Sequence, residues 1–318
     1  MDVGLALIVH GGAGRFVTAR QEPAREGCRA AAAAGWEVLR RGGTALAAVE
    51  AAIIVLEDDP EFDAGRGSFL NAEGRVQMDA GVMDGMTLDV GSVACVERVR
   101  HPVVLAGAVL RSPHVLLVGP GAEEFAVESG IPLCDPAELV TPEETERWAS
   151  GRGAVDDETG DAGGRGQHPD TVRDTEHGTV GAVAVDGAGR LAAATSTGGI
   201  AGKHPGRIGD TPLVGCGFYA EHPIGAVSST GDGEAFIRMM LARRAAGYLE
   251  AGLTAQAAAE AAIRVLADRV GAHGGLIVLD AAGHIGCAWN TPEMAYAHIS
   301  EGMAAPYARC GDAADSEP

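Results

Sequence analysis

The order of apolar and polar segments in the first half of the chain predicts alternating strands and helices. A short apolar run at residues 5–9 is typical of a buried strand, and the periodic segments after it are typical of helices. Thr44 is a favourable N-cap for the second of these helices. The elements predicted in this half are strands at residues 5–9, 86–96 and 115–118 and helices at residues 23–41, 44–57, 103–111 and 121–130.

The second half of the chain predicts two antiparallel hairpins and two helices with alanine-rich apolar faces. The hairpins join residues 179–185 to 190–195 and residues 275–279 to 284–289, and the helices cover residues 234–249 and 254–270. Because the strands are apolar on both faces, we expect each sheet to be covered on both sides. The pattern predicts one α/β domain over residues 1–318, a four-layer αββα sandwich of two antiparallel sheets.

Composition and charge exclude several classes of protein. The 318 residues are 46% hydrophobic, which excludes a disordered chain, and no apolar run approaches the ~18 residues of a membrane helix. A formal net charge of −20 argues against nucleic acid or an anionic membrane as a partner, since both favour basic surfaces. Six scattered cysteines without a CxxC motif, and the lack of a signal-like N-terminus, predict reduced thiols and a cytoplasmic location.

An abrupt junction at Gly178 and Thr179 is the first candidate for chemistry. Residues 150–177 contain no aromatic residue and few aliphatic ones, which predicts a flexible linker that ends where an apolar strand begins. The Thr179 hydroxyl could attack the accessible carbonyl of Gly178, and cleavage there would give Thr179 an α-amine with an ordinary pKa of about 7.7–8.0. On the junction alone, an ordinary linker that enters a strand is the simpler interpretation.

Several motifs around this junction resemble one family, the N-terminal-nucleophile (Ntn) hydrolases of the plant-type asparaginase and isoaspartyl aminopeptidase group. The matches cover nearly the whole chain outside the linker and the tail, and they occur in the family's order. They are residues 10–14 (HGGAG), 56–67 (LEDDPEFDAGRG), 78–80 (MDA), 112–117 (SPHVLL), 177–184 (HGTVGAVA), 194–199 (ATSTGG), 203–210 (KHPGRIGD) and 229–238 (STGDGEAFIR).

The resemblance implies self-cleavage between Gly178 and Thr179, with Thr179 as the nucleophile of the mature enzyme. The products would be an α chain of residues 1–178 and a β chain of residues 179–318. Thr197 would orient the nucleophile, although a strand-end threonine bonded to its own backbone is the alternative. Thr230 and Gly231 would form the oxyanion hole, where turn and capping chemistry is the alternative.

The resemblance also implies a clamp for an L-aspartyl group. Arg207 would bind the α-carboxylate and Asp210 the α-ammonium, while Gly231 and Gly233 would line the pocket. Without the resemblance, Arg207 and Asp210 would be interpreted as a surface ion pair.

Two further regions are implied to support the site. The loop at residues 56–67 would hold a structural Na⁺ through the backbone carbonyls of Glu57, Phe62 and Ala64; a solvated acidic loop is the alternative, and no other cofactor is required. Gly12, in the cluster at residues 10–14, would lie near the active site. A phosphate-binding loop is the alternative for this cluster, but the GxGxxG spacing and a following GKS or GKT are both missing.

Asp63 departs from the resemblance, because the family usually has asparagine at this position. Aspartate is nearly isosteric with asparagine but adds a charge and loses two donors. We expect a nearby carboxylate to raise the pKa of the Thr179 α-amine and to weaken self-cleavage.

The function implied is hydrolysis of the side-chain amide of L-asparagine and of the isopeptide bond in β-aspartyl dipeptides, by an (αβ)2 assembly. Two alternatives remain open at this point. One is a glycosylasparaginase on the same scaffold, although those enzymes are usually exported. The other is a homologue that never matures and acts as a binding protein.

Overall fold

The structure, a computed structural model, describes residues 4–151 and 178–311. The strands in these residues are β1 (Ala6–Gly14), β2 (Met78–Asp84), β3 (Val90–Val96), β4 (Leu116–Val118), β5 (Val180–Val185), β6 (Leu191–Thr197), β7 (Phe218–Glu221), β8 (Gly225–Gly231), β9 (Gly274–Asp280), β10 (Ile285–Trp289), β11 (Glu293–Ser300) and β12 (Tyr307–Gly311). The helices are α1 (Thr18–Arg40), α2 (Ala45–Asp58), α3 (Pro102–Leu110), α4 (Gly119–Glu128), α5 (Pro142–Ala149), α6 (Gly233–Met239), α7 (Leu241–Glu250) and α8 (Ala255–Val270).

The strands form two sheets that face each other. The eight-stranded sheet has the order β12-β11-β1-β5-β6-β2-β3-β4, and the four-stranded sheet has the order β10-β9-β8-β7. Neighbouring strands pair antiparallel, except that β4 pairs parallel with β3 at one edge. The prediction of purely antiparallel sheets is therefore wrong at that edge and correct elsewhere in the described residues.

Helices cover the outer face of each sheet. Helices α1, α2 and α3 pack on the large sheet, α7 and α8 pack on the small one, and β1 and β5 contact β8 and β9 across the middle. Buried apolar residues fill all three interfaces, and Ile8, Phe218 and Ile277 are among those between the sheets. The predicted four-layer αββα sandwich is confirmed.

The predicted element bounds hold best where caps or turns fix them. The Thr44 side chain accepts a hydrogen bond from the Ala47 N–H at the start of α2, as predicted. The predicted helix 234–249 is in fact two helices, because Met240 adopts a left-handed conformation with φ of 49°. Strand β1 extends through the glycine cluster to Gly14, beyond the predicted residues 5–9.

Some predictions concern residues that the structure does not describe. The predicted linker at residues 150–177 lies outside the described residues except for Ser150 and Gly151. Among the described helices, none combines the length and the apolar character that a membrane crossing requires.

Candidate active site

Thr179 and Thr197 lie next to each other in the large sheet, at the point where β5 begins and its neighbour β6 ends. Thr179 immediately precedes β5, Thr197 ends β6, and the antiparallel register pairs Val180 with Ser196. The Thr179 hydroxyl donates a hydrogen bond to Thr197 Oγ1 over 3.1 Å. Thr197 Oγ1 also accepts from the Gly199 N–H at 3.0 Å, which is the local backbone bond of the alternative interpretation, so Thr197 serves both its own backbone and Thr179.

Asp63 stands behind Thr197 and extends this chain of hydrogen bonds. The Thr197 hydroxyl donates to Asp63 Oδ2 over 3.4 Å, and Asp63 Oδ1 accepts from the Phe69 N–H at 2.9 Å. Burial raises the pKa of Asp63 well above its usual range, and the positive charge of Lys203 opposes that rise. The raised pKa favours the neutral acid, which in charge resembles the asparagine usual at this position.

Lys203 is a part of the site that sequence reasoning missed. Its side chain is buried, and Nζ donates to the Gln77 carbonyl over 2.6 Å. Its charge counteracts the effect of burial on the pKa of Asp63 and of Asp79, two fully buried carboxyl groups. The sequence did contain an indication that Lys203 belongs to the site, since it is the only lysine in the sequence and lies within a matched motif.

Gly178 lies between Gly12 and Thr230. A Cβ placed on Gly178 would stand 2.8 Å from the Gly12 Cα and 3.2 Å from Thr230 Oγ1. The Thr230 hydroxyl therefore faces the residue whose carbonyl the Thr179 hydroxyl would attack. This proximity is compatible with the oxyanion-hole role that the resemblance implies for Thr230.

Gly231 follows Thr230 at the end of β8 and has φ of 145°. A side chain here would meet the backbone of Gly274 and of His273, each at 2.5 Å. Only glycine fits this position, which keeps the backbone beside Thr230 accessible.

Arg207 and Asp210 lie on the long loop between β6 and β7 and converge on Gly233. A Cβ on Gly233 would stand 2.9 Å from Asp210 Oδ1 and 3.1 Å from Arg207 Nη2. The two residues do not form the surface ion pair of the alternative interpretation. The Arg207 side chain is only 16% exposed, and its salt bridge goes to Glu234 instead.

Asp210 is buried and receives a hydrogen bond from Ser229 Oγ over 3.3 Å. Burial raises the pKa of Asp210 to about 7, although Arg207 opposes the rise. An ammonium group bound beside this carboxyl would favour its ionised form. The position thus suits the α-ammonium of an amino acid.

The resemblance places the cluster that begins at His10 near the active site, but it does not predict what the His10 side chain contacts. Its Nε2 lies 2.7 Å from Ser228 Oγ, between the two sheets. Burial lowers the pKa of His10 to about 3, although a hydrogen bond to the Thr179 backbone opposes this shift. His10 is therefore a neutral imidazole beneath the strand that carries Thr179, and it adds no positive charge there.

The loop at residues 56–67 offers backbone oxygens. The carbonyl oxygens of Pro60 and Phe62 lie against Gly67, since each would stand 2.8 Å from a Cβ placed there. The Glu57 carbonyl accepts the Arg66 N–H, and the Glu57 carboxyl is bonded to Ser196 on the other side. Within the described residues there is no cluster of three or more His, Cys, Asp or Glu side chains that could hold a metal ion. Any ion here would depend on carbonyl oxygens, which suits Na⁺ better than a transition metal.

A four-layer sandwich with a threonine hydroxyl at the start of a central strand defines an Ntn-type hydrolase. The chain belongs to the asparaginase family, whose sequence profile matches residues 3–308.

Curated relatives match almost the whole chain. It is 42% identical over 304 residues to the isoaspartyl peptidase/L-asparaginase of Mus musculus, which covers 95% of this chain and 90% of the mouse protein. The human protein of the same name is 41% identical over 298 residues, 93% of each chain. The plant-type L-asparaginase of Pyrococcus abyssi (strain GE5 / Orsay) is 44% identical over 312 residues, 96% of this chain and 99% of the archaeal one.

Proposed function

We propose that this protein is a self-processing threonine amidohydrolase that acts on L-asparagine and on β-aspartyl dipeptides. The observation that carries the proposal is the hydrogen bond from Thr179 to Thr197 beside Gly178, with the Thr230 hydroxyl also close to Gly178. The names of the relatives, isoaspartyl peptidase/L-asparaginase and plant-type L-asparaginase, support the same substrates.

Maturation begins with attack of Thr179 Oγ1 on the carbonyl carbon of Gly178. An O-acyl ester forms as the peptide C–N bond breaks, and the Thr179 nitrogen takes the proton that the hydroxyl gives up. Water then hydrolyses the ester, which releases the Gly178 carboxylate and leaves a free α-amine on Thr179. The chains of the mature enzyme are residues 1–178 and 179–318.

Catalysis uses the same hydroxyl on the substrate. The Thr179 α-amine takes the hydroxyl proton while Oγ1 attacks the side-chain carbonyl, and Thr230 and the Gly231 N–H stabilise the oxyanion. The amine returns the proton to the leaving nitrogen, so ammonia or an amino acid departs. Water then cleaves the aspartyl ester and gives L-aspartate.

The clamp residues select substrates with a free α-amino acid end. Arg207 binds the α-carboxylate, Asp210 binds the α-ammonium, and Gly233 leaves room for both contacts. A side-chain amide of the right length then reaches Thr179.

Three accompanying features belong to the proposal. A Na⁺ ion is held by the backbone carbonyls of Glu57, Phe62 and Ala64 in the loop at residues 56–67, as the resemblance to the family implies. The mature protein is an (αβ)2 assembly and works in the cytoplasm.

Intact-mass measurement with N-terminal sequencing tests the maturation. We expect two fragments, the second beginning at Thr179, and no cleavage in Thr179→Ala. A single 318-residue chain after long incubation would contradict the proposal and favour a non-maturing homologue.

Substrate assays on the mature protein test the activity. We expect ammonia from L-asparagine and free amino acid from a β-aspartyl dipeptide, with far less turnover of a glycosylated asparagine. Preference for the glycosylated substrate would replace this proposal with a glycosylasparaginase.

A further inference from the structure

Arg207 is held by a carboxylate that the proposed mechanism does not use. Its Nε donates to Glu234 Oε1 over 2.9 Å, and its Nη2 donates to Glu234 Oε2 over 2.8 Å. This two-point geometry fixes the plane of the guanidinium group as well as its position. Glu234 lies in the first turn of α6, directly after Gly233.

The pair uses only one edge of the guanidinium group. Among the described residues, the hydrogen bonds of the Arg207 side chain start at Nε and Nη2 and end on Glu234. The other edge, between Nη1 and Nη2, faces positions where side chains are absent. A Cβ would stand 3.0 Å from Nη1 if placed on Gly209 and 3.1 Å from Nη2 if placed on Gly233.

Asp210, the other half of the clamp, is close enough to Arg207 to serve as an alternative partner if Glu234 is removed. Arg207 Nη2 and Asp210 Oδ1 border the same point on Gly233, and each charge influences the other. A direct salt bridge between them would occupy both groups that the substrate's α-carboxylate and α-ammonium need. The Glu234 carboxylate competes for Arg207 and keeps the two halves apart.

We propose that Glu234 is a positioning residue that orients Arg207 and holds the clamp open for the α-carboxylate of the substrate. The inference rests on the proposed function, since it assigns Arg207 to substrate binding. Glu234 is 64% exposed and Arg207 16%, so Glu234 acts from the rim while Arg207 faces the site. The carboxylate of Glu234 touches no reacting atom and affects binding through Arg207.

Glu234→Gln in the mature enzyme tests the proposal, because glutamine keeps the length and one acceptor but loses the charge. We expect the KM for L-asparagine to rise roughly threefold to tenfold, with kcat changed less than twofold. Glu234→Ala should raise KM further. Glu250→Gln is the matched control, since it removes the exposed partner of Arg243 at 3.1 Å, away from the clamp, and we expect its KM to equal that of the wild type.

Competitive inhibitors separate a local effect on Arg207 from general damage. Glu234→Gln should weaken inhibition by L-aspartate but leave that by L-isoasparagine unchanged, because its α-carboxylate is an amide. An equal change for both inhibitors, or an unchanged KM, would overturn the proposal. A lower KM would also overturn it and would mean that Glu234 blocks the substrate's place on Arg207.

The wild-type enzyme distinguishes this failure from failure of the proposed function. If the wild type and Glu250→Gln release ammonia and Glu234→Gln matches them in KM, only the role of Glu234 is wrong. If the wild type matures but releases no ammonia or amino acid from either substrate, the proposed function fails and the role of Glu234 falls with it.

Discussion

The backbone of Gly12 lies directly against Gly178, so that a Cβ added to Gly12 would stand 2.7 Å from the Gly178 Cα. Gly12 also has φ of 109°, a conformation that L side chains rarely adopt. The glycine cluster of β1 and the Thr230 hydroxyl both border Gly178, since a Cβ on Gly178 would stand 2.8 Å from the Gly12 Cα and 3.2 Å from Thr230 Oγ1. Gly178 therefore has a fixed place relative to the attacking hydroxyl although its neighbours 152–177 are not described.

Gly12→Ala should slow self-cleavage about 10- to 100-fold, because the methyl group collides with the Gly178 backbone, displaces the scissile peptide and strains the backbone at residue 12. Gel analysis of fragment formation over time measures this. Gly121→Ala is the control, since a Cβ there meets nothing within 4 Å, and it should mature at the wild-type rate. Normal maturation of Gly12→Ala would mean that Gly178 is not held against Gly12.

Thr197→Val should reduce kcat roughly 100-fold, because the nucleophile loses the hydroxyl that receives its hydrogen bond. Thr197→Ser keeps the hydroxyl and should retain most of the activity. Thr195→Val is a matched control on the same strand, since Thr195 donates to the Thr211 carbonyl over 2.9 Å and lies outside the site. Both valine variants should lose stability by about 1–3 kcal/mol. Equal kcat values in the two would contradict an orienting role for Thr197.

The layers of the fold could be predicted because local sequence patterns indicate the strands and helices that form them. The hairpin of β5 and β6 and the helices α2 and α8 have apolar runs, caps and turns that the sequence shows directly. Strand β8 was not predicted, because its GAVSSTG sequence mixes small and polar residues. Its buried serines have hydrogen-bond partners outside the strand: Ser228 bonds His10, and Ser229 bonds Asp210 and the carbonyls of Cys216 and Gly217.

The candidate site was predicted by resemblance, and its physical details were not. Thr179, Thr197 and Thr230 are ordinary threonines by local pattern, and only the folded chain brings them together. The break between helices α6 and α7 at Met240 could not be predicted, because no glycine or proline lies there. The pairing of Arg207 with exposed Glu234, rather than with Asp210, depends on where α6 begins relative to the loop, which no local pattern indicates.

Lys203→Met should lower the free energy of unfolding by about 1–3 kcal/mol, because it leaves the Gln77 carbonyl without its buried donor and removes the charge that opposes the raised pKa of Asp63 and Asp79. Urea unfolding in the Thr179→Ala background, which keeps the chain intact, measures this loss. Asp63→Asn removes one of the two carboxyl groups, so Lys203→Met should cost less in that background. An equal cost in both backgrounds would show that Lys203 and Asp63 do not interact.

Asp210 should make ligand binding depend on pH near neutrality. Burial raises its pKa to about 7, while Arg207 and Ser229 lower it and Glu234 raises it. Below pH 7 the neutral carboxyl cannot pair with an ammonium, so we expect the inhibition constant of L-aspartate to rise toward tenfold per pH unit below about 7 and to level off above it. The sign for stability is opposite: the folded protein holds this proton more tightly than the unfolded chain, so the ligand-free protein loses stability as pH rises from about 4 to 7. Asp210→Asn should weaken L-aspartate binding at pH 8 and remove both dependences, which separates them from titration of the Thr179 α-amine. If the inhibition constant of L-aspartate still rose below pH 7 in Asp210→Asn, that rise would belong to another group.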